Sequence, residues 1–146
     1  MGDCRVDETE YPVGSSPGRS VLELPANAGA PALARAHVRH CAARLPADVT
    51  DDALLLTSEL VSNAVEHGAP RIVLHVQTGA SDIVVRVHDD GRGLPAPPTR
   101  SPNGSDPSGR GLRIVAAIAT KWGIDLAKDG KSGKDVWFAL NVQPDT

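Results

Sequence analysis

The stretch LLLTSELVSNAVEHG, residues 54–68, decides how the chain is to be read. At 100° per residue, Glu59 and Asn63 fall on one helical face a turn apart, flanked by Leu55, Leu56 and Leu60, with Val61 and Val65 turned away. A carboxylate and an amide hemmed in by leucine are either the start of a chemical site or part of a narrow solvated stripe with Asp52 and Glu66, which share their angular sector. The helix alone leaves both readings open. Thr50 in N-cap position, with Asp51 and Asp52 in the first turn against the helix dipole, predicts a helix over residues 51–67, and Gly68 is its natural C′ stop.

Working toward the C-terminus, RIVLHVQ (residues 71–77) and IVVRVH (83–88) are alternating, β-branched runs joined by TGASD, which predicts a hairpin. The second run empties into DDGRGLP. Residues 95–110 are then nearly all Pro, Ser, Gly, Asn and charge, a long loop of the kind that is more often functional than idle. From Gly111, LRIVAAIATKW keeps a helical stripe of Leu112, Val115, Ala119 and Trp122, with Gly123 as its stop. Residues 124–127 and 136–142 predict a second hairpin over the turn KDGKSGK. Toward the N-terminus, SVLEL (20–24) before Pro25 predicts an edge strand, and from Pro31 a helix with Leu33, His37, Cys41 and Leu45 on one face ends before Pro46. Residues 1–19 read as a disordered lead-in and residues 20–143 as the folded domain. The order strand, helix, helix, hairpin, loop, helix, hairpin implies an α+β two-layer α/β sandwich, with helices on one face of a mixed, mainly antiparallel sheet.

Composition narrows the function. A chain of 146 residues is one domain able to bury a real core. A net charge of -3, a pI near 5.9 and only 3% aromatics give neither the field nor the stacking platform that nucleic acid needs, so no direct nucleic-acid partner is expected. No apolar run approaches the ~20 residues of a membrane span, and residues 1–20 lack the greasy core of a signal peptide. Cys4 and Cys41 form no metal or redox spacing, so both read as unbridged thiols in a cytoplasmic protein. His37, His40 and Cys41 could suggest a metal, but His-x-x-His on a helix without a third placed ligand is usually incidental.

Two glycine boxes accompany the Glu59 and Asn63 pair. Asp89-Asp90-Gly91-Arg92-Gly93 sits where a strand stops: its carboxylate can accept a hydrogen bond from an amino group such as that of adenine, and its glycines let backbone approach a flat ring. Alone it is also a plain Asp-Gly turn. Gly109-Arg110-Gly111 comes directly before a helix, where exposed amides and the positive dipole end suit phosphate, although alone it could be only a loop end. The loop between the boxes has the length and place of a lid.

This order, Glu-x-x-x-Asn on a helix, Asp-x-Gly-x-Gly after a strand and Gly-x-Gly opening a helix, resembles the histidine-kinase-like ATPase (GHKL, HATPase) superfamily. With ELVSNAVEHG, a short lid and the closing strand GKDVWFAL, the chain looks most like the stand-alone anti-sigma-factor serine kinases of the RsbW and SpoIIAB type. The resemblance implies a Bergerat-type ATP-binding fold with ATP and Mg²⁺ as cofactors. It implies that Asn63 holds Mg²⁺, that Asp89 reads the adenine amino group, and that Gly91, Gly93, Gly109, Arg110, Gly111 and Leu112 shape the nucleotide pocket and lid. Glu59 would be the catalytic base that activates a substrate serine. The activity implied is that of a serine/threonine-protein kinase, a transferase in transcription regulation. Its implied partners are a sigma factor and an anti-sigma-factor antagonist, with the kinase itself a homodimer. An asparagine carbonyl is a hard oxygen suited to Mg²⁺, and a carboxylate one turn away can deprotonate a hydroxyl. Arg113 stands where larger relatives often carry another glycine. The rival reading is an ATP-binding interaction module with little or no phosphotransfer, and a third is an ATP domain acting on a separate histidine protein.

Overall fold

A computed structural model describes residues 18–91, 107–126 and 133–142, with the backbone alone for residues 107–111. Its elements run β1 (Arg19–Leu24), α1 (Ala30–Cys41), α2 (Ala47–Glu66), β2 (Ile72–Thr78), β3 (Asp82–Asp89), α3 (Pro107–Ile118), β4 (Lys121–Leu126) and β5 (Lys134–Asn141). The strands form one sheet in the order β1-β2-β3-β5-β4, and all four ladders are antiparallel. The sheet is therefore antiparallel rather than mixed: β3 and β4 run in the same direction, but β5 lies between them, so no two neighbouring strands are parallel. The edge position expected for β1 holds, so Pro25 costs no ladder bond.

Cross-strand rows show how alternation builds the layers. Leu22, Leu74, Val87, Val136 and Ile124 lie side by side across five strands, and the next row is Ser20, Val76, Val85, Phe138 and Trp122. These rows face the helices, where Leu74, Val76, Val85 and Phe138 are sealed with Leu56, Val61 and Val38. Burying each such side chain contributes roughly 1.5–3 kcal/mol. The opposite face carries Val21, His75, Arg86, Trp137 and Gly123 in one row and Glu23, Val73, His88, Asp135 and Asp125 in another. The helix α2 is central, packing on both α1 and α3 and reaching β3 and β5.

Three local expectations need correction. The buried stripe of α1 is Ala30, Ala34, Val38 and Cys41, while Leu33 is exposed: α1 lies close on α2 through small side chains, which hydropathy ranks below leucine. Thr50 is not the N-cap of α2. Pro46, with ψ of 150°, begins the helix one turn earlier, and Thr50 Oγ1 donates back to the carbonyls of Pro46 and Ala42. The third helix ends at Ile118, so Trp122 and Gly123 belong to β4. Trp122 fits a helical stripe, but it also alternates with Ile124 and Leu126, and pairing with β5 decides the matter. The expected C-terminal stop of α2 stands: Gly68 has φ of +74°, its N–H reaches Val65 O, and Ala69 N–H reaches Ala64 O, the paired bonds of a Schellman cap.

Candidate functional site

A third inward row crosses the sheet at one end: Leu24, Ile72, Asp89, Lys134 and Leu126. Two charged residues thus stand where the neighbouring rows are almost wholly apolar. Asp89 Oδ1 accepts hydrogen bonds from Lys134 Nζ at 3.0 Å and from the Gly91 N–H at 2.9 Å, and the side chains of Asp89 and Lys134 are each only 3% exposed. Asp89 Oδ2 accepts no hydrogen bond from any described residue. The Schellman cap carries the chain from α2 to Ala69, against which Gly91 packs. A Cβ at Gly91 would stand 3.3 Å from Ala69 Cα and 3.2 Å from Asp89 Oδ1, so glycine is what allows this approach.

From α2, Asn63 joins the same place. It is 7% exposed, and its amide nitrogen is sealed from solvent without a hydrogen-bond partner among the described residues. A buried amide left unpaired costs free energy unless something else satisfies it. Asn63, His67, Asp89 and Lys134 line a recess together with Leu60, Ala64, Val87 and Val136, and its volume of about 10 Å³ has room for about one water-sized sphere. Only the edge of a larger molecule could enter it. Glu59, one turn back on α2, is half-buried and does not line the recess. No described residue gives it a hydrogen bond or an ion pair.

The structure therefore brings Asn63, Asp89 and Gly91 together, with Glu59 one helical turn from Asn63 and not among the residues that line the recess. Gly93 lies outside the described residues, as does most of the expected lid. The second glycine box is not directly before the helix: α3 begins at Pro107, which places Gly109, Arg110, Gly111 and Leu112 inside its first turns. Proline suits the first helical position because its missing N–H has no partner there. The Leu112 side chain is fully buried in the core, so only its backbone could face a ligand. Lys134 escaped the sequence reading. The signal was period-two spacing, since Lys134 shares a strand face with Val136, Phe138 and Leu140.

Asp90 points elsewhere. Its Oδ1 pairs with His88 Nε2 at 2.8 Å, and His88 Nδ1 meets Asp135 at 2.6 Å. Burial pushes the His88 imidazole down, but the hydrogen bonds and charges of Asp135 and Asp90 outweigh it and raise its pKa. Arg86 bonds Asp125 and Asp135 and lies 5.7 Å above the Trp137 ring. A hollow of about 280 Å³ on this open face, lined by Arg19, His75, Gln77 and Arg86, contains none of the expected site residues. His37 is accounted for by a 2.7 Å hydrogen bond to Ser20 Oγ, and no group of three metal-ligating side chains occurs among the described residues. No described helix is long and apolar enough to cross a membrane.

A helix-borne amide facing a strand-end carboxylate across a small recess, under a fully antiparallel sheet, is the layout of the Bergerat fold, a class of ATP-binding domains. The sequence model of the histidine kinase-like ATPase domain matches residues 24–140, and the chain belongs to that family. Among solved structures it is similar to the crystal structure of the RsbU and RsbW domains of Rv1364c from Mycobacterium tuberculosis, with a TM-score of 0.59 and 19% identity. That match covers 90% of this chain and 36% of the other, so the chain spans about a third of the length of the solved chain that it matches. At this identity the likeness establishes the fold. No curated protein matches the chain.

Proposed function

We propose that this domain is a Mg²⁺-ATP-dependent serine/threonine protein kinase of the anti-sigma-factor type, which binds a sigma factor and phosphorylates an antagonist protein in a partner switch. The observation that supports the ATP half of this reading is the polar lining of the recess: Asn63, whose amide nitrogen is buried without a partner among the described residues, and Asp89, whose Oδ1 is held by Lys134 and the Gly91 N–H, line it together. The donor set fits the group. Asn63 offers an amide oxygen, a hard ligand suited to Mg²⁺, and Asp89 offers a carboxylate oxygen to an amino group. Gly91 and Gly93, with the first turns of α3 at Gly109, Arg110, Gly111 and Leu112, would wall the nucleotide. Mg²⁺-ATP supplies the transferable phosphoryl group and a cation that neutralises charge developing on it. Glu59, one helical turn from Asn63, would take the proton from a serine or threonine hydroxyl. The sigma-factor and antagonist partners rest on the resemblance to RsbW-type domains.

One observation favours the rival reading of an ATP-binding interaction module: Glu59 stands outside the recess. Labelled phosphate transfer from ATP to candidate antagonists, measured with two variants, separates the readings. Glu59→Ala should keep Mg²⁺-ATP affinity within a few-fold and cut transfer by about 10²–10⁴. Asn63→Ala should lower affinity and transfer together. Transfer at the normal rate by Glu59→Ala removes Glu59 as the base. Mg²⁺-ATP binding without transfer to any antagonist supports the module.

A further inference from the structure

Lys134 is the charged group that the family motifs leave unused, and it touches the one carboxylate in the recess. Its ammonium and the Gly91 N–H both fall on Asp89 Oδ1, at 3.0 and 2.9 Å. One carboxylate oxygen is thereby doubly donated, and the other faces no donor among the described residues. A carboxylate with 3% exposure is not kept charged without a counter-charge, and here the only described basic group in contact with it is Lys134. The register enforces the arrangement: Asp89 and Lys134 are direct cross-strand neighbours on β3 and β5. Because the recess takes only the edge of a larger molecule, whatever is read there is read by single atoms.

We propose that Lys134 is a specificity-determining positioning residue: by occupying Oδ1 together with the Gly91 N–H, it fixes the Asp89 carboxylate so that Oδ2 is the oxygen left to an incoming donor, the 6-amino group of a purine nucleotide. This rests on the ATP reading above. A hydrogen bond to a charged acceptor is strong, and a base that lacks the matching donor leaves the carboxylate desolvated and unpaired. Discrimination for the 6-amino group thus depends on Lys134, which does not itself touch the base.

The test is calorimetric titration of the full chain, in Mg²⁺, with ATP and with the triphosphate of unsubstituted purine riboside, which differs from ATP only by the missing 6-amino group. The parent protein should prefer ATP by about 10–100-fold. In Lys134→Met that preference should fall to within about threefold, whereas Lys134→Arg, which keeps the charge, should retain most of it. A merely structural role for Lys134 would weaken both ligands in proportion and leave the ratio unchanged, and an unchanged ratio in Lys134→Met overturns the proposal. So does tighter ATP binding by Lys134→Met, which would make the ammonium a plug in the place of the base. Should Lys134→Met fail to show a cooperative melt, Lys134→Gln, which removes the charge and keeps a polar N–H donor, is read by the same ratio and the same criterion. If the parent protein binds neither triphosphate, the ATP reading itself falls and takes this inference with it. If the parent protein discriminates and the variant discriminates equally, only the role of Lys134 falls.

Discussion

The Asp89–Lys134 pair should show the signature of a buried ion pair in stability as well as in binding. At 3.0 Å and an effective dielectric of about 20, its attraction is about 5 kcal/mol, and with both side chains 3% exposed no discount for solvent screening applies. Bringing the two charges out of water costs several kcal/mol for each ion, so the net contribution of the intact pair is small. Removing one partner is different, because the desolvation cost of the other stays without compensation. Asp89→Asn and Lys134→Met should each lower the unfolding free energy by about 3–5 kcal/mol. Against a total of roughly 5–15 kcal/mol for a domain, either change is large but survivable. The double variant should cost less than the two singles added, with a coupling of about 2 kcal/mol or more. Urea titrations give the answer through the midpoint, provided the slope m is unchanged, since a changed slope would mean an altered denatured or native state rather than a lost pair. Single costs below about 1 kcal/mol that add within about 0.5 kcal/mol would refute a desolvated pair and place both side chains in water.

Other consequences follow from the same geometry. Asp89→Asn should weaken ATP binding about 10–100-fold while Asp90→Asn leaves it nearly unchanged, because the Asp90 carboxylate is committed to His88 on the far face; equal losses by calorimetry would assign the box to the wrong aspartate. In a proton NMR titration His88 should show a midpoint above the ordinary 6.5, brought down in Asp135→Asn, while His37 and His75, lowered chiefly by burial, should titrate below it. The signs for stability oppose each other: the His88 contribution is full below pH 6.5 and lost as pH rises through its raised value, whereas that of His37 and His75 is lost as pH falls below 6.5 toward their lowered values. Gly123→Ala should destabilise by about 1–3 kcal/mol, since a Cβ there would meet the Trp137 ring at 2.9 Å; an unchanged thermal midpoint would show that the ring moves aside at no cost.

How much of this was legible before the fold depends on whether a residue's neighbours lie near it in sequence. The order of elements was readable because amphipathic periods and stops such as Gly68 are local, and the Glu59 and Asn63 pair was readable because a helix fixes its own angles. Trp122 was misread because helical and strand spacing both accommodate it, and only the pairing of β4 with β5 breaks the tie. The stripe of α1 was misread because Ala30 and Ala34 are core only by virtue of how closely α2 approaches. Lys134 was overlooked for a related reason: beside Gly133 and Asp135 it reads as turn charge, and nothing local says that its strand starts there or which face it takes. The register with β3 settles both, and in doing so changes what Asp89 is. From sequence alone Asp89 is a carboxylate with two equivalent oxygens. Once Lys134 and the Gly91 N–H have taken one of them, the two oxygens are no longer equivalent, and on our proposal the selectivity of the recess rests on the second.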